Sequence, residues 1–399
     1  MSEGRTGSYR LSPGEPAATP LAALPAEVDL CVVGGGIYGA WTALEAALRG
    51  QRVALIERRD WASGTSCASS KLIHGGLRYL EHGHIALVRT ALAERGRLLR
   101  IAAHRVRPLT FLVPVTRSGR LSRLHLHLGL RAYDWLAGRQ AGVPRMAAWS
   151  RTHLLDGAPF LDPAGLVAGF TYGDAGTDDA ALTRDVVAAA QAAGAVCVAH
   201  APVAGLLRGA GRVSGVQVAE GPRVSARSTV LAAGPWACAL AGLDPARHVR
   251  FTKGVHIELP PLPLHAPFVR ADTALLLTAP QDGRVFFAIP WRDGTMVGTT
   301  DTDFTGDPDT VRVDEADIAY LLSALAATCP GLGFGRADVR RAWCGRRPLA
   351  HASGGAAALS REWSLLHPEP GLWLPIGGKL TTARADAVRI VEECQMPEC

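Results

Sequence analysis

At 399 residues, with 48% hydrophobic and 20% charged side chains, the chain exceeds what one core usually serves, and two packed globular domains are expected rather than a disordered polymer. The net charge of +6 comes from arginines spread along the whole sequence without interleaved aromatic residues, which argues against nucleic-acid binding and leaves an anionic substrate or membrane surface open. No run of about 18 apolar residues provides a transmembrane helix, and the eight cysteines form no CxxC pair and no Cys/His spacing for a metal.

Residues 1–28 mix Gly, Ser, Pro and Ala with both charge signs, and are expected to form a flexible tail rather than a secretion signal. Together with reduced cysteines this suggests a cytoplasmic protein, with peripheral contact at the cytoplasmic membrane face left open. Asp29–Val33 reads as a strand, followed at once by Gly34-Gly-Gly36-Ile-Tyr-Gly39 and the helical AWTALEAALRG. Gly34 permits the turn, Gly36 lets a pyrophosphate approach the backbone, and Gly39 lets the helix pack on the strand. The helix N-terminus offers free N–H groups and the positive end of its dipole to phosphate. A second strand, 52–56, ends at Glu57, whose carboxylate suits the ribose hydroxyls of an adenosine. Strand, glycine turn, helix, strand and acid in this order mark a dinucleotide site for NAD or FAD. The polar, small-residue loop that follows, in place of another strand and helix, favours FAD.

SSKLIHGGLRYLEHG, residues 69–83, concentrates polar chemistry around two adjacent glycines, each of which would weaken a helix by roughly 1 kcal/mol. The glycines therefore serve something other than a solvated helix. Residues 121–135 mix apolar and basic side chains at near-helical spacing, which predicts core packing under a basic outer face, with a membrane-interface helix as the alternative. The strand 228–232 leads into AAGPW, which either closes over the adenosine or pyrophosphate side, through Ala233 and Gly234, or is a plain corner. His256 stands alone on an apolar strand, where a buried core histidine is the ordinary outcome. The runs 274–278, 284–289 and 295–299 are separated by Asp-Gly at 282–283 and 293–294, the signal for hairpins, and predict an antiparallel sheet roofing the cofactor. Finally, strand 372–376 runs through Gly377-Gly378-Lys379-Leu380-Thr381-Thr382 into a helix over 383–394. That is a second anion-facing helix start, to which Lys379 adds a full charge; an N-capped helix with an exposed lysine is the alternative.

The segments carrying these motifs must converge. The expected fold is α/β: a Rossmann-like FAD-binding domain of the glutathione-reductase and D-amino-acid-oxidase type, built from 29–105, 165–248 and 343–395, with an antiparallel β-rich substrate domain from 106–164 and 249–342.

GGGIYGA, ERRDWASGTSCASSKLIHGGLRYLEHG, GDAGTDDAAL, VLAAGPWA, KGVHIEL, FFAIPWRDGTMVGTTDTDFTGDP, GRRPL and GGKLTTAR together resemble the FAD-dependent, aerobic-type glycerol-3-phosphate dehydrogenase family. The resemblance runs in unbroken order from about 29 to about 390. It implies hydride transfer from C2 of sn-glycerol 3-phosphate to flavin N5, giving dihydroxyacetone phosphate, with electrons passing to a quinone or to oxygen. Longer family members continue into a C-terminal helical domain, which is expected to be absent here; a homodimer is a further expectation. In the family the glycine pair lies against the flavin, so Gly75 and Gly76 would give backbone access. Tyr38, Thr65, Ser66, Ser70, Leu72, Gly378, Leu380 and Thr381 would contribute cofactor contacts. His74, Arg78 and Tyr79 would face the substrate. Asp178 and Asp179 are expected to cap a helix rather than act as acid and base.

Oxidising a secondary alcohol requires a base for the hydroxyl proton and stabilisation of the developing oxyanion. His74 and His256 are the candidate bases. A phosphate dianion calls for guanidinium forks; by the resemblance Arg347 sits near the C2 oxygen, Arg361 near the phosphate, and Arg78 near either. The alternative reading is an FAD-dependent enzyme acting on another anionic hydroxy or amino substrate. A non-enzymatic flavin-fold protein is disfavoured by the retained set His74, Arg78, His256, Arg347 and Lys379.

Overall fold

The computed structural model describes residues 9–81, 83–117, 119, 122–266, 272–350 and 363–396, and of Arg78 and Ala350 the backbone alone. In chain order the first strand is β1 (Glu27–Val33), followed by helix α1 (Ile37–Leu48) and β2 (Val53–Ile56). All four residues of β2 are buried, as expected of a strand covered on both faces. Then come β3 (Leu72–Ile73), α2 (Leu77–Glu81), α3 (Ile85–Ile101), β4 (Val106–Thr116), α4 (Arg123–Ala137), β5 (Ala147–Ser150), α5 (Arg151–Gly157) and β6 (Leu166–Thr177). Next are α6 (Asp179–Ala192), β7 (Val196–Val198), β8 (Val203–Gly209), β9 (Arg212–Val218), β10 (Arg223–Leu231), α7 (Ala237–Ala241) and α8 (Pro245–His248). The remainder comprises β11 (Val249–Leu259), β12 (Thr273–Thr278), β13 (Val285–Trp291), β14 (Gly294–Gly298), β15 (Thr302–Asp303), α9 (Glu315–Thr328), β16 (Arg341–Ala350), β17 (Ser364–Glu369), β18 (Leu372–Ile376) and α10 (Ala383–Gln395).

The described strands form two sheets. The first has the order β17-β18-β10-β1-β2-β7, with β8 and β9 continuing from β10 as a meander. Its centre, β18-β10-β1-β2-β7, is parallel. On one face α1, α6 and α10 share a core that includes Trp41, Leu44, Leu182, Val186 and Ile390. The other face packs against the meander through Val213, Val216 and Val224. Burying side chains of this size contributes roughly 1.5–3 kcal/mol each, and that replaces the loop-to-loop support a short helix such as α1 lacks alone.

The second sheet has the order β15-β11-β14-β13-β12-β4-β6-β3, with β16 beside β11 and β5 beside β6. Apart from the parallel β12–β4 pair it is antiparallel. Helix α9 covers it through Ile318, Leu321 and Leu325. This two-sheet α/β arrangement is the expected one, with four differences of detail. Strands β6 and β16 lie in segments expected to build the cofactor sheet, yet β6 pairs with β4 from Val106↔Thr177 onward and β16 pairs along the whole of β11. Backbone partners decide sheet membership, and both strands line the cavity from the second sheet, through Tyr172 and Asp174 of β6 and Gly345 and Arg347 of β16.

Residues 9–26, expected as part of a flexible tail, are packed instead. Leu11 is buried and its N–H donates to Ile101 O at 2.7 Å, and Gly14 N–H donates to Asp185 Oδ1 at 3.0 Å. Two apolar anchors, Leu11 and Leu24, and a buried acceptor hold the proline-rich strap. The hairpin expected at Asp293–Gly294 turns one residue earlier, since Trp291 pairs with Gly294. Gly294 serves packing: a Cβ there would stand 2.6 Å from Leu259 O. Helix α4 buries Leu126, Leu130 and Tyr133 as expected, but its outer face is apolar as well as basic. Leu124 is 65% exposed, Leu128 58% and Trp135 79%, with Ile85 of α3 at 51%, beside exposed Arg123 and Arg131. No helix among the described residues is long and apolar enough to cross a membrane.

Candidate functional site

A cavity of about 1410 Å³ runs between the two sheets, from the turn after β1 to the loop before α10. Sites for small molecules commonly hold about 300–1,000 Å³, so this one has room for an extended ligand and a second, smaller one.

At one end the glycine turn behaves as its spacing requires. Gly34 has φ +111°, and a Cβ on it would lie 2.5 Å from Ala232 O. A Cβ on Gly39 would lie 1.9 Å from Gly34 O, so Gly39 sets the contact of α1 with the turn and does not itself line the cavity. Gly34, Gly36, Tyr38, Glu57, Thr65, Ser66, Ala233 and Gly234 all do. Glu57 is fixed at the end of β2: Gly35 N–H donates to its Oε2 at 2.6 Å and Arg59 N–H to its Oε1 at 2.8 Å. Ser66 Oγ accepts from Ile37 N–H at 2.9 Å, and the Thr65 hydroxyl donates to Arg346 O at 2.7 Å. Arg58 lies over Trp236, 4.1 Å from its ring centre, and pairs with Asp309 at 2.7 Å.

At the other end Tyr38 has a role its motif position did not suggest. Its hydroxyl donates to Asp386 Oδ2 at 2.6 Å and accepts from Lys379 N–H at 3.2 Å. Gly378 has φ +86°, and a Cβ there would fall 1.7 Å from Tyr38 Oη. The ring of Tyr38 thus holds the loop Gly377–Thr381, whose residues Gly378 to Thr381 form the cavity wall. Burial pushes the Asp386 carboxyl up to about 6, against the bonds from Tyr38 and Thr382 that lower it. Lys379 is neither a plain surface lysine nor an isolated charge, since its Nζ sits 3.6 Å above the Tyr79 ring. The Thr382 and Ala383 N–H groups close back on Lys379 O, so the first turn of α10 spends part of its anion-facing capacity internally.

Between these ends, Ser70, Leu72, His74, Gly76 and Tyr79 line the cavity, and Arg347 does so from β16. Arg347 Nη2 donates to Thr299 Oγ1 at 2.8 Å, and its guanidinium crosses Gly254, where a Cβ would stand 2.6 Å from Nη2.

Two sequence expectations change here. His256 is fully buried and does not reach the cavity; its Nε2 lies 3.1 Å from Ser70 Oγ, and its ring stacks on Trp343 at 5.8 Å. Burial, and then the charges of Arg347 and Lys71, push its pKa down to about 3. As a lone histidine on an apolar strand it has the ordinary fate of that pattern, with Ser70 standing between it and the cavity. Gly75 is also buried behind the wall, because its N–H turns inward to Tyr133 Oη at 2.8 Å and Asp174 Oδ1 at 3.3 Å. Arg361 and the side chain of Arg78 lie outside the described residues.

Asp178 caps α6 as expected, accepting from Ala181 N–H at 2.9 Å. Asp179 is buried and ion-paired with Lys71, and it accepts from Ser69 N–H at 3.0 Å and Ser69 Oγ at 2.6 Å. Desolvation raises its pKa. The residues missed by sequence reasoning are Asp174, Arg95 and Tyr133, joined under the Gly75–Gly76 turn: Arg95 Nη1 donates to Asp174 Oδ1 at 2.6 Å, and Tyr133 Oη donates to the same carboxylate at 2.8 and 2.9 Å. The available signal was a single acid in the otherwise uncharged strand LVAGFTYGDAGT, since a charge buried there demands partners.

The family described as FAD dependent oxidoreductase (DAO) matches residues 29–383. The chain is 38% identical over 375 residues to glycerol-3-phosphate dehydrogenase 2 of Mycobacterium tuberculosis, covering 91% of this chain and 62% of that protein. It is 36% identical over 375 residues to aerobic glycerol-3-phosphate dehydrogenase of Bacillus subtilis, covering 91% and 66%. It therefore spans less than two thirds of the length of these relatives. Among solved structures, the glycerol-3-phosphate dehydrogenase of Bacillus halodurans complexed with FAD superposes with a TM-score of 0.72 at 30% identity, over 92% of this chain and 64% of that one. The FAD-bound L-alpha-glycerophosphate oxidase of Mycoplasma pneumoniae shares the fold, with a TM-score of 0.73 at 19% identity over 92% and 94%.

Proposed function

Since the chain belongs to the family of FAD-dependent oxidoreductases, we propose that it binds FAD in the long cavity and oxidises sn-glycerol 3-phosphate to dihydroxyacetone phosphate. The residues present fit the cofactor. Gly34 and Gly36 line the cavity at the start of α1, the Glu57 carboxylate stands ready for hydroxyls at one end, and the Lys379–Thr381 segment with its cation forms the other. When bound, FAD supplies the acceptor for the hydride that leaves the carbinol carbon.

The observation that carries the substrate reading is the gathering of Arg347, Lys379, His74 and Tyr79 on the wall of the same cavity that holds the glycine turn. Arg347 offers a planar fork to phosphate or to the developing C2 oxyanion, and Lys379 a point charge. His74 faces the cavity and is the histidine that takes the hydroxyl proton; His256 orients Ser70 from behind. Arg361 and Arg78 complete the phosphate site on the strength of the resemblance. The names of the relatives, glycerol-3-phosphate dehydrogenases at 36–38% identity, support the same substrate.

The electrons pass to a quinone, reached at a membrane surface. The apolar stripe Leu124, Leu128 and Trp135, set beside Arg123 and Arg131, supports peripheral contact with an anionic bilayer.

One anaerobic titration tests the proposal. Glycerol 3-phosphate should bleach the flavin absorbance, and glycerol or glycine should not; bleaching by the amine alone would overturn the substrate assignment. Reoxidation by a quinone should then run faster in phosphatidylglycerol vesicles than in phosphatidylcholine vesicles, and equal rates would remove the membrane contact.

A further inference from the structure

We infer that Tyr133, backed by Asp174 and Arg95, is the positioning residue that fixes the Gly75–Gly76 turn and thereby aims His74 and Tyr79 into the cavity. The inference rests on FAD occupying that cavity, and holds whichever anionic substrate is oxidised.

The polarity of the arrangement is settled by proton count. A phenol has one proton to give, and Tyr133 gives it to Asp174, whose two oxygens stand 2.8 and 2.9 Å away. Its oxygen is then free to accept the Gly75 N–H at 2.8 Å. Burial first, and then the adjacent carboxylate of Asp174, hold the Tyr133 phenol well above its ordinary pKa, so it remains a donor throughout the working range. Arg95 completes the set from α3: Nη1 reaches Asp174 Oδ1 at 2.6 Å and Gly173 O at 2.8 Å, and Nε reaches Gln140 Oε1 at 2.9 Å. Arg95, Tyr133 and Asp174 are each at most 1% exposed, so water cannot replace a lost partner.

The placement of the turn explains why this matters at the cavity. On the opposite side, His74 N–H donates to Thr381 Oγ1 at 3.1 Å, in the loop that also carries Lys379. Successive amides of one turn are thus held by groups on opposite sides, one from the loop before α10 and one from α4. Gly75 does not line the cavity, while His74 and Gly76 on either side of it do. Gly76, with φ +77°, admits no Cβ because one would lie 2.3 Å from the Tyr79 ring. Losing the Tyr133 hydroxyl would leave the Gly75 amide with the 3.3 Å approach of Asp174 alone, and the peptide would be free to rotate about its remaining anchor.

The test uses the FAD-loaded protein and Tyr133→Phe. Hydrogen exchange in segment 72–81 should rise at least about tenfold, and the visible circular dichroism of the bound flavin should change, both without substrate. FAD content should stay within about twofold, while flavin reduction by glycerol 3-phosphate slows about 10- to 100-fold with little change in KM, as a sub-ångström to ångström misplacement does. Asp174→Asn should show the same split. Unchanged exchange and dichroism, or a rate that falls only in proportion to FAD content and melting temperature, would overturn the role. If the variants do not fold, exchange in the wild-type protein decides: Gly75 must be among the slowest amides of the segment, and fast exchange there would refute the inference. Failure of glycerol 3-phosphate to reduce the wild-type flavin would sink the substrate reading alone, since exchange and dichroism still judge Tyr133.

Discussion

Two glycine turns meet in this cavity, and they use the same residue type in opposite ways. In the turn Gly34–Gly39 the missing side chains avoid Ala232, Trp61 and Gly34 O and so let α1 close on the turn, while the backbone of Gly34 and Gly36 lies at the cavity wall. In the turn Gly75–Gly76 the middle amide points the other way, into Tyr133 and Asp174. A glycine in a sequence therefore reports that a Cβ has no room; it does not report which way the peptide faces. That direction is set by whatever is buried beneath, here supplied from 58 and 99 positions away.

The sharpest way to break the comparison is to add one methyl to each turn. Gly39→Ala places a Cβ 1.9 Å from a backbone oxygen of Gly34, which cannot move without dismantling the turn. The expected result is protein that is colourless or insoluble, at a cost at or above the roughly 1–3 kcal/mol of ordinary overpacking, checked by flavin content and thermal melting. Gly75→Ala places its Cβ 2.5 Å from Leu92 Cδ2 and 2.6 Å from Tyr133 Oη, so a buried leucine tip and the hydroxyl that holds the Gly75 amide must both shift while the backbone of the turn stays in place. It should keep its flavin and lose about tenfold in the rate of flavin reduction, measured by stopped flow. Flavin loss equal to that of Gly39→Ala would mean that the two turns do the same job.

The smallest expected effect is on stability against pH, and it contrasts two buried groups behind the cavity wall, one beside Ser70 and one beside Tyr38. His256 titrates near 3 in the folded protein against about 6.5 unfolded. The unfolded chain thus binds the extra proton across that window, and stability falls as pH drops from about 6.5 toward 3. Asp386, near 6 when folded against about 3.9 unfolded, acts with the opposite sign: its contribution is present below about 4 and is lost as pH rises through 6. Melting curves between pH 4 and 7 should show His256→Asn losing less stability on acidification than the parent, and Asp386→Asn losing less on the rise to 6. A reversed order would remove these assignments.

What could be read from the sequence was what lies close along the chain. Strand, glycine turn, helix, second strand and Glu57 follow one another within 31 positions from Glu27, and the two hairpins were visible for the same reason. What could not be read depends on distant partners. Tyr38 meets Asp386 across 348 positions, and no local spacing announces that bond. His256 was correctly placed on a strand and shares the face of β11 that carries cavity-lining Thr252, but Ser70, 186 positions away, covers its ring, and no local spacing announces that. Asp174 was visible as an odd acid, yet its partners Arg95 and Tyr133 come from two different helices.

The parallel sheet also has a temporal side. Helix α1 leaves the ribosome well ahead of α10, which covers one flank of it, and of Asp386, which receives Tyr38; both are made more than 300 residues later. Strand β18 joins β10 just as late. Until then the growing polypeptide must carry a naked apolar helix flank and an open strand edge, the surfaces that holdase chaperones recognise in nascent chains. Closure of this end of the cavity therefore waits for α10, long after the glycines of the first turn have been made.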